Sequence, residues 1–406
     1  MGRWFELPAD LIQIIEDCLL LYVDKVRIRA ICMGWNSHLP KIPNQTEMQF
    51  PLLLQALDNN KDASHALFNP IKKKLYLLNL PEAQGKLFKR SSHGWVVTIG
   101  EKHSSKPTEM CLINPLTRVQ IKLPSRNKFT DVRKYRADKV DQEYCVFIYG
   151  EGGELFNFYS HDIINFVYTD KVVLSSAPSS DNCLLVAIYG PSRRLACCKL
   201  KDKRWRPLLK NNSEGIPGTQ IVDIIFHNGK LHALNQTGQV LVFENIGLGL
   251  SPKVTEIARM LPFRQEALWK YLVVSSDGGL IMVARYFHFI ETNSMDTIPR
   301  TYWFKAFKLD STNLSWVEVK NIGDDILFVG LNSSFSISSR HFPEYKRNHV
   351  YFTDSSLSFD TFVYNNREES SDTGVFNLED GTLQSLPGFE NHPKFVWPPP
   401  LWVNIG

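Results

Sequence analysis

The hydrophobic pattern changes once along the chain. In the first forty or so residues, apolar positions recur at three- and four-residue steps. Leu11, Ile14, Ile15, Cys18 and Leu19 read as one stripe of an amphipathic helix. Pro8 suits the first turn of that helix, where its missing N–H is not needed. Asp24 is placed to cap a second helix carrying Val26, Ile28, Ala30, Ile31 and Trp35, and Pro40 and Pro43 stop the pattern. Helices this short cannot bury so much apolar surface among themselves, so part of it needs a partner.

From residue 64 the texture is different. Short β-rich runs alternate with Gly, Asn, Asp, Ser and Pro turns, as in KLYLLNLP (74–81), GWVVTIG (94–100) and YCVFIYG (144–150). The clearest unit is IIFHNGKLHALNQTGQVLVFEN (224–245), three strands joined by Asn228-Gly229 and Thr237-Gly238 turns. Asn-Gly fits a tight hairpin because both residues accept positive φ. Related units end in a strand, a polar turn and a tryptophan that begins the next strand, at Trp205 and Trp316. Those indoles are expected on outer strands, packed against their own sheets. Four-stranded units of about 40–50 residues are the spacing of a β-propeller.

The fold class expected is therefore a small all-α segment followed by an all-β propeller of six blades. Helices occupy 1–45, a linker 46–63 and the propeller 64–406. The terminal stretch FVWPPPLWVNIG is apolar but interrupted by prolines, which suits an edge or closing strand. Leu401-Trp402-Val403 is expected to complete a blade begun near the N-terminal end of the β region.

Composition narrows the function. Hydrophobic residues make up 43% and charged residues 22% of 406, an ordinary globular balance. A formal charge of +4 on this length makes no electrostatic case for nucleic acid. The sharpest basic cluster, Lys72-Lys73-Lys74, reads as a solvated turn before a strand. No run of about 18 apolar residues occurs, so no membrane span is expected. The seven cysteines are odd in number and lack C-x-x-C spacing. That argues against a disulfide framework or a zinc site and for a reducing compartment, cytoplasm or nucleus.

Catalytic signatures are missing. There is no G-x-S-x-G, H-E-x-x-H or Walker loop, and neither GEGGEL (150–155) nor GLGLSP (247–252) completes a nucleotide-binding glycine pattern. Ser92-His93-Gly94 reads as a turn with a structural histidine, and His161-Asp162 stands alone. No catalytic residue, metal site or cofactor is expected.

Trp4, Leu7-Pro8, Asp10-Leu11, Ile14-Ile15, Asp24, Arg27, Arg29-Ala30-Ile31-Cys32 and Trp35 resemble the F-box motif, with its L-P-x-D-L start and V-C-x-x-W finish. Ile31 replaces the more frequent Val. The β region, over residues 50–402, resembles the KIB-type β-propeller of plant F-box proteins. The resemblance is carried by KLFKRSSHGWVVTIG, MCLINPLTRVQIKLP, NHVYFTDS, GVFNLEDGTLQSLP and WPPPLW. It implies a substrate-recognition subunit of an SCF-type ubiquitin ligase, itself without catalysis. The F-box would dock a Skp-family adaptor, which links to a cullin and a RING protein, while the propeller presents a target protein. The adaptor-facing set is Leu7, Pro8, Leu11, Ile14, Ile15, Leu19, Val26, Ile31, Cys32 and Trp35. A propeller scaffold without a ligase role and a propeller enzyme are the alternatives. The target is not named by the sequence. Its candidate contacts are the loops 104–107, 126–144, 287–302 and 365–373, of which the third is richest in the aromatics that favour partner contacts.

Overall fold

One turn recurs through the β region and shows how a short polar signal builds it. An Asn or Asp ends or follows a strand, its side-chain oxygen accepts the N–H two residues on, and the residue four places on has positive φ. Asn69 takes the N–H of Ile71 at 3.0 Å before Lys73 (φ 50°), and Asn114 that of Leu116 at 3.0 Å before Arg118 (φ 61°). Asp310 takes Thr312 at 2.9 Å before Leu314 (φ 53°), and Asn377 takes Glu379 at 2.9 Å before Gly381 (φ 76°). Asn and Asp favour this geometry because the short side chain mimics a backbone turn.

The computed structural model describes residues 7–18, 28, 33–38, 51–56, 65–78, 80–83, 86–100, 109–134, 142–150, 153–159, 169–178, 182–209, 220–247, 251–261, 269–291, 297–354, 372–389 and 400–404. Packing separates two units, Met1–Phe50 with Ile405–Gly406, and Pro51–Asn404. The first contains helices Ala9–Cys18 and Met33–His38 around a core of Ile12, Ile28 and Trp35.

The second unit contains seven sheets among the described residues. Sheet I pairs Leu401–Val403, Leu52–Ala56, His65–Asn69 and Lys74–Leu78 in that order. Sheet II runs Leu87–Ser92, Trp95–Ile99, Met110–Ile113 and Gln120–Leu123. Sheet III runs Thr169–Leu174, Leu184–Tyr189, Arg194–Lys199 and Arg206–Pro207. Sheet IV runs Ile221–His227, Lys230–Asn235, Val240–Glu244 and Lys253–Ala258. Sheet V runs Trp269–Val274, Leu280–Glu291, Thr297–Asp310 and Ser315–Val319. Sheet VI orders Phe335–Ser338, Asp325–Val329, His349–Phe352, Gly374–Asn377 and Leu383–Ser385.

The first strands of sheets I to VI neighbour one another in that order, as blades of a propeller do. The seventh sheet, Val132–Lys134 with Tyr144–Gly150 and Gly153–Tyr159, stands outside that row. Its Val132, Tyr144 and Val146 pack into the core that sheets II and III share.

Charged groups staple the first strands together. In sheets II, III and IV the first strand carries a register shift near its start, at Phe88/Arg90, Thr169/Lys171 and Ile221/Asp223. The residue after each shift reaches the next sheet. Arg90 donates to the Asp170 backbone oxygen and carboxylate, both at 2.6 Å. Lys171 pairs with Asp223, whose second oxygen accepts the Leu272 N–H at 2.7 Å. Burial pulls the Lys171 pKa down, and the Asp223 carboxylate opposes it.

The ring closes where the C-terminal strand enters sheet I, with Leu52 opposite Val403 and Leu54 opposite Leu401. This is the closure that the proline-interrupted terminus predicts. Trp402 is fully buried, its ring 5.0 Å from that of Phe328 in sheet VI, and the Tyr345 hydroxyl donates to Pro51 O at 3.1 Å.

Two expectations are corrected. Residues 52–56, assigned to a linker, form the second strand of sheet I. Leu52, Leu53 and Leu54 are all buried, and a strand buried on both faces shows no alternation to announce it. The tryptophans of the outer strands reach beyond their own sheets. Trp205 Nε1 donates to Pro124 O at 2.9 Å with its ring stacked on Phe129, and Trp316 Nε1 donates to Gly238 O at 2.6 Å. A buried indole N–H needs an acceptor, and the preceding sheet or its flank supplies one.

Candidate interaction surfaces

In the helical unit, Pro8 starts the first helix by offering its carbonyl to the N–H groups of Leu11 and Ile12, both at 3.1 Å. Each residue then turns by about 100° around the axis. Leu11 and Ile14 therefore share one side, and Ile12 and Ile15 another. Ile12 is fully buried against Ile28 and Trp35, with Leu7 and Ile15 half-buried beside them. Leu11 is 43% exposed and Ile14 56%. The helix thus has a closed apolar side and an open one.

Of the ten residues expected to face an adaptor, Pro8, Leu11 and Ile14 present surface, and Leu7 and Ile15 line the edge of the core. Trp35 lies inside that core, where its ring covers Ile12 and Ile28. Leu19, Val26, Ile31 and Cys32 fall outside the described residues. Ile12 was missed because Leu11-Ile12 and Ile14-Ile15 form two parallel stripes, which merge if read as one.

The four loops expected on the propeller fare differently. Residues 104–107 and 365–371 are outside the described residues. The stretch 126–144 holds a short helical turn, Arg126–Lys128, and the strand Val132–Lys134, with Phe129, Val132 and Tyr144 in the core. Its described residues, 126–134 and 142–144, are packed structure rather than a solvated loop, and 135–141 lie outside the described residues. His93 keeps the structural role expected of it, in a tight turn (φ 50°, with Gly94 at 71°) with Nε2 3.2 Å from Leu174 O.

The stretch 287–302 is the distinctive one. It belongs to the two longest strands, Leu280–Glu291 and Thr297–Asp310, which pair through to Glu291 opposite Thr297. Among the described residues, the neighbouring first strand pairs from Trp269 opposite Arg285 to Val274 opposite Leu280, and the fourth pairs with Ala306–Asp310. Among the described residues, Tyr286–Glu291 and Thr297–Trp303 pair with each other as a two-stranded ribbon. A register shift places Tyr286 opposite Trp303 but Phe287 opposite Thr301, leaving Tyr302 as an extra residue. Bulges of this kind re-aim side chains. Phe289 is 61% exposed, Ile290 46%, Tyr302 48% and Trp303 40%.

The base of the ribbon is rigid. Arg285 is fully buried between the rings of Phe287 and Phe352, its guanidinium carbon 4.9 and 4.8 Å from their centroids. It donates to Thr301 Oγ1 at 2.7 Å, Thr353 O at 2.7 Å, the Tyr271 hydroxyl at 3.1 Å and the Asp372 carboxylate at 2.9 Å. Burial works against its charge, but Tyr271 and Asp372 outweigh it and hold the pKa above the usual arginine value. On one face Phe287 meets Trp269 edge-on at 5.2 Å; on the other His288 stacks on Tyr302 at 5.5 Å.

Among the described residues no group of three or more His, Cys, Asp or Glu side chains is placed to hold a metal ion. The thiols of Cys111, Cys145, Cys183, Cys197 and Cys198 are free and buried, and burial pushes the pKa of each upward.

Comparison with known proteins points the same way as these surfaces. A family model described as the KIB1-4 beta-propeller matches residues 67–377. The chain is similar to F-box protein SKIP23 of Arabidopsis thaliana, 23% identical across 99% of this chain and 96% of the relative. It is also similar to F-box proteins At2g17036 and At4g35733 of the same plant, each 24% identical. Those matches cover 99% and 98% of this chain and 95% and 98% of the relatives.

Proposed function

We propose, from the premise that this chain belongs to the KIB1-4 beta-propeller family, that it is the substrate-recognition subunit of a Skp–cullin–F-box ubiquitin ligase. The observation that carries this reading is the two-sided first helix. Ile12 is spent on the internal core, while Leu11 and Ile14 remain open as apolar neighbours one turn apart. Such a side, flanked by Pro8, suits docking into an apolar groove of a Skp-family adaptor. Full-length similarity to proteins named as F-box proteins supports the same assignment.

In this reading the adaptor connects the chain to a cullin and a RING protein, and the chain performs no chemistry of its own. The propeller has six blades, supported by the six first strands that follow one another, with the three-stranded sheet as an insertion beside sheets II and III. It presents a target protein. The free thiols of adjacent Cys197 and Cys198 support the cytoplasm or nucleus as the compartment.

The test is co-expression of the full chain with a Skp-family adaptor, followed by reconstitution with cullin and RING protein. A soluble stoichiometric complex that Leu11→Asp with Ile14→Asp abolishes is expected. Failure to form that complex, under conditions where a known F-box protein does, overturns the proposal and leaves a scaffold role.

A further inference from the structure

We propose that Arg126, where sheets II and III meet the three-stranded sheet, binds a small oxyanion through its guanidinium fork. The ligand is of the phosphate or carboxylate class, small enough to be enclosed with the side chain. This goes beyond the ligase reading and does not rest on it.

Among the described residues, Arg126 is one of the largest fully buried side chains, and none of its nitrogens Nε, Nη1 and Nη2 has a hydrogen-bond partner. Every other buried Lys or Arg among them is met. Arg90 donates to Asp170, Lys171 pairs with Asp223, Lys270 donates to Gln236 O at 3.0 Å, and Arg285 pairs with Asp372. Burial alone acts on the titration of Arg126, with no neighbouring charge, and brings its pKa down to about 9. That still leaves a cation at neutral pH. An enclosed charge is costly unless an opposite charge and hydrogen bonds accompany it. The described residues supply neither. Packing does not call for the charge, since an apolar side chain of similar volume fills a core without that cost.

The turn that carries Arg126 is held in place by sheet III. Pro124 O accepts Trp205 Nε1 at 2.9 Å, and Lys128 O accepts the Trp205 N–H at 3.2 Å. One tryptophan thus grips the turn on both sides of Arg126. Phe129 stacks on Trp205 at 5.2 Å and on Tyr189 at 4.4 Å, and the strand Val132–Lys134 of the three-stranded sheet follows. A guanidinium offers five N–H groups in one plane, a fork that matches the paired oxygens of a carboxylate or phosphate. A donor fixed beforehand loses little freedom on binding. The bound oxyanion supplies the missing countercharge and acceptors together.

The experiment follows thermal unfolding of the full chain, first dialysed free of oxyanions, in chloride, acetate and phosphate at one ionic strength. Phosphate or acetate should raise the melting temperature with concentration, as a ligand of the native state does. The more effective of the two assigns the class. Arg126→Met should be at least as stable as the wild type in chloride and should lose the response. Arg126→Lys keeps a charge but not the fork, and should need about tenfold more anion for the same rise. A general salt effect stabilises the wild type and Arg126→Met alike, and that result would overturn the proposal. A wild type that responds to chloride as strongly, or to no anion at all, overturns it too. Should Arg126→Met fail to fold, crystals of the wild-type chain grown in selenate decide. Anomalous scattering from selenium is expected within hydrogen-bond reach of the Arg126 guanidinium. Selenate found only elsewhere on the protein rules the site out.

Discussion

Arg285 and Asp372 form an ion pair at 2.9 Å in which the guanidinium is wholly buried. The same guanidinium donates to the carbonyl of Thr353 at 2.7 Å, so one side chain holds residues 353 and 372 against the base of the ribbon. Removing one partner of such a pair leaves an uncompensated buried charge. Asp372→Ala is expected to cost about 3–5 kcal/mol in urea unfolding. Arg285→Met with Asp372→Ala should cost less than Asp372→Ala alone, since no orphan charge remains. Equal costs for the single and double variants would show that packing, not charge, holds this site.

Trp303 of the ribbon is seated on a glycine of sheet VI. A Cβ on Gly381 would lie 2.2 Å from the Trp303 ring, and Gly381 has φ +76°. Gly381→Ala should therefore lower stability by about 1–3 kcal/mol through strain and clash together. Adding Trp303→Leu should recover the clash portion, which thermal melts of the three variants will show. If the second substitution recovers nothing, the backbone conformation alone accounts for the loss.

How much of this was legible depends on how local each cause is. Asn228-Gly229 sits at φ 49° and 71°, and Lys73 turns at φ 50° with the lysines around it exposed, because tight turns are decided by the residues in them. Trp402 was legible as a closing residue because prolines before it excluded a central strand. The ribbon was read as an aromatic loop. Its strand pairing is set by a register with a bulge at Tyr302, which no window of its own sequence reveals. Arg285 with Asp372 and Lys171 with Asp223 are partners distant in sequence, so no local pattern marks them as buried pairs. The pair of stripes in the first helix was legible in principle, since the angle between Leu11 and Ile12 follows from helix geometry alone.

The recurring Asx turn has an acid signature. At Asp310, hydrogen bonds from Thr312, from its side chain and backbone, and from Asn313 hold the carboxyl down to about 2 from an ordinary 3.8. A folded-state pKa below the unfolded one stabilises the fold above pH 3.8, and that contribution is lost as pH falls through about 2. Asp310→Asn keeps an accepting oxygen but cannot titrate. The difference between wild-type and variant stability should change across that window and stay flat above it. A flat difference throughout would mean that the turn does not bind the carboxylate form preferentially.

Closure through Leu401–Val403 predicts a large truncation effect. The strand joins sheet I by pairing with Leu52–Leu54, and Trp402 fills the junction with Phe328 and Tyr351. Burying an aromatic of this size removes about 150–250 Å² from water, worth about 4–6 kcal/mol at the usual coefficient as an upper bound. Deleting residues 395–406 should therefore leave the β domain unfolded or strongly destabilised in calorimetry. Trp402→Ala, which keeps the backbone pairing, should give a folded protein of intermediate stability. A truncated chain as heat-stable as the full one would end the closure argument.

The first helix allows docking and folding to be separated. Ile12 is buried against Ile28 and Trp35, so Ile12→Asp places a charge in that core and should unfold the helical unit. Leu11 and Ile14 are 43% and 56% exposed, so Leu11→Asp with Ile14→Asp changes surface and should leave the unit folded. Both variants are expected to lose the adaptor, for different reasons. Circular dichroism and proteolysis separate them: the Ile12 variant should lose helix and become sensitive near the N-terminus, while the double variant should match wild type. Surface substitutions of this kind change stability by about 0.5 kcal/mol or less, so lost binding in the folded double variant can be assigned to the interface. Should that variant still bind the adaptor at wild-type affinity, the open side of the helix is not the docking side, and the adaptor must be met by other residues of the helical unit.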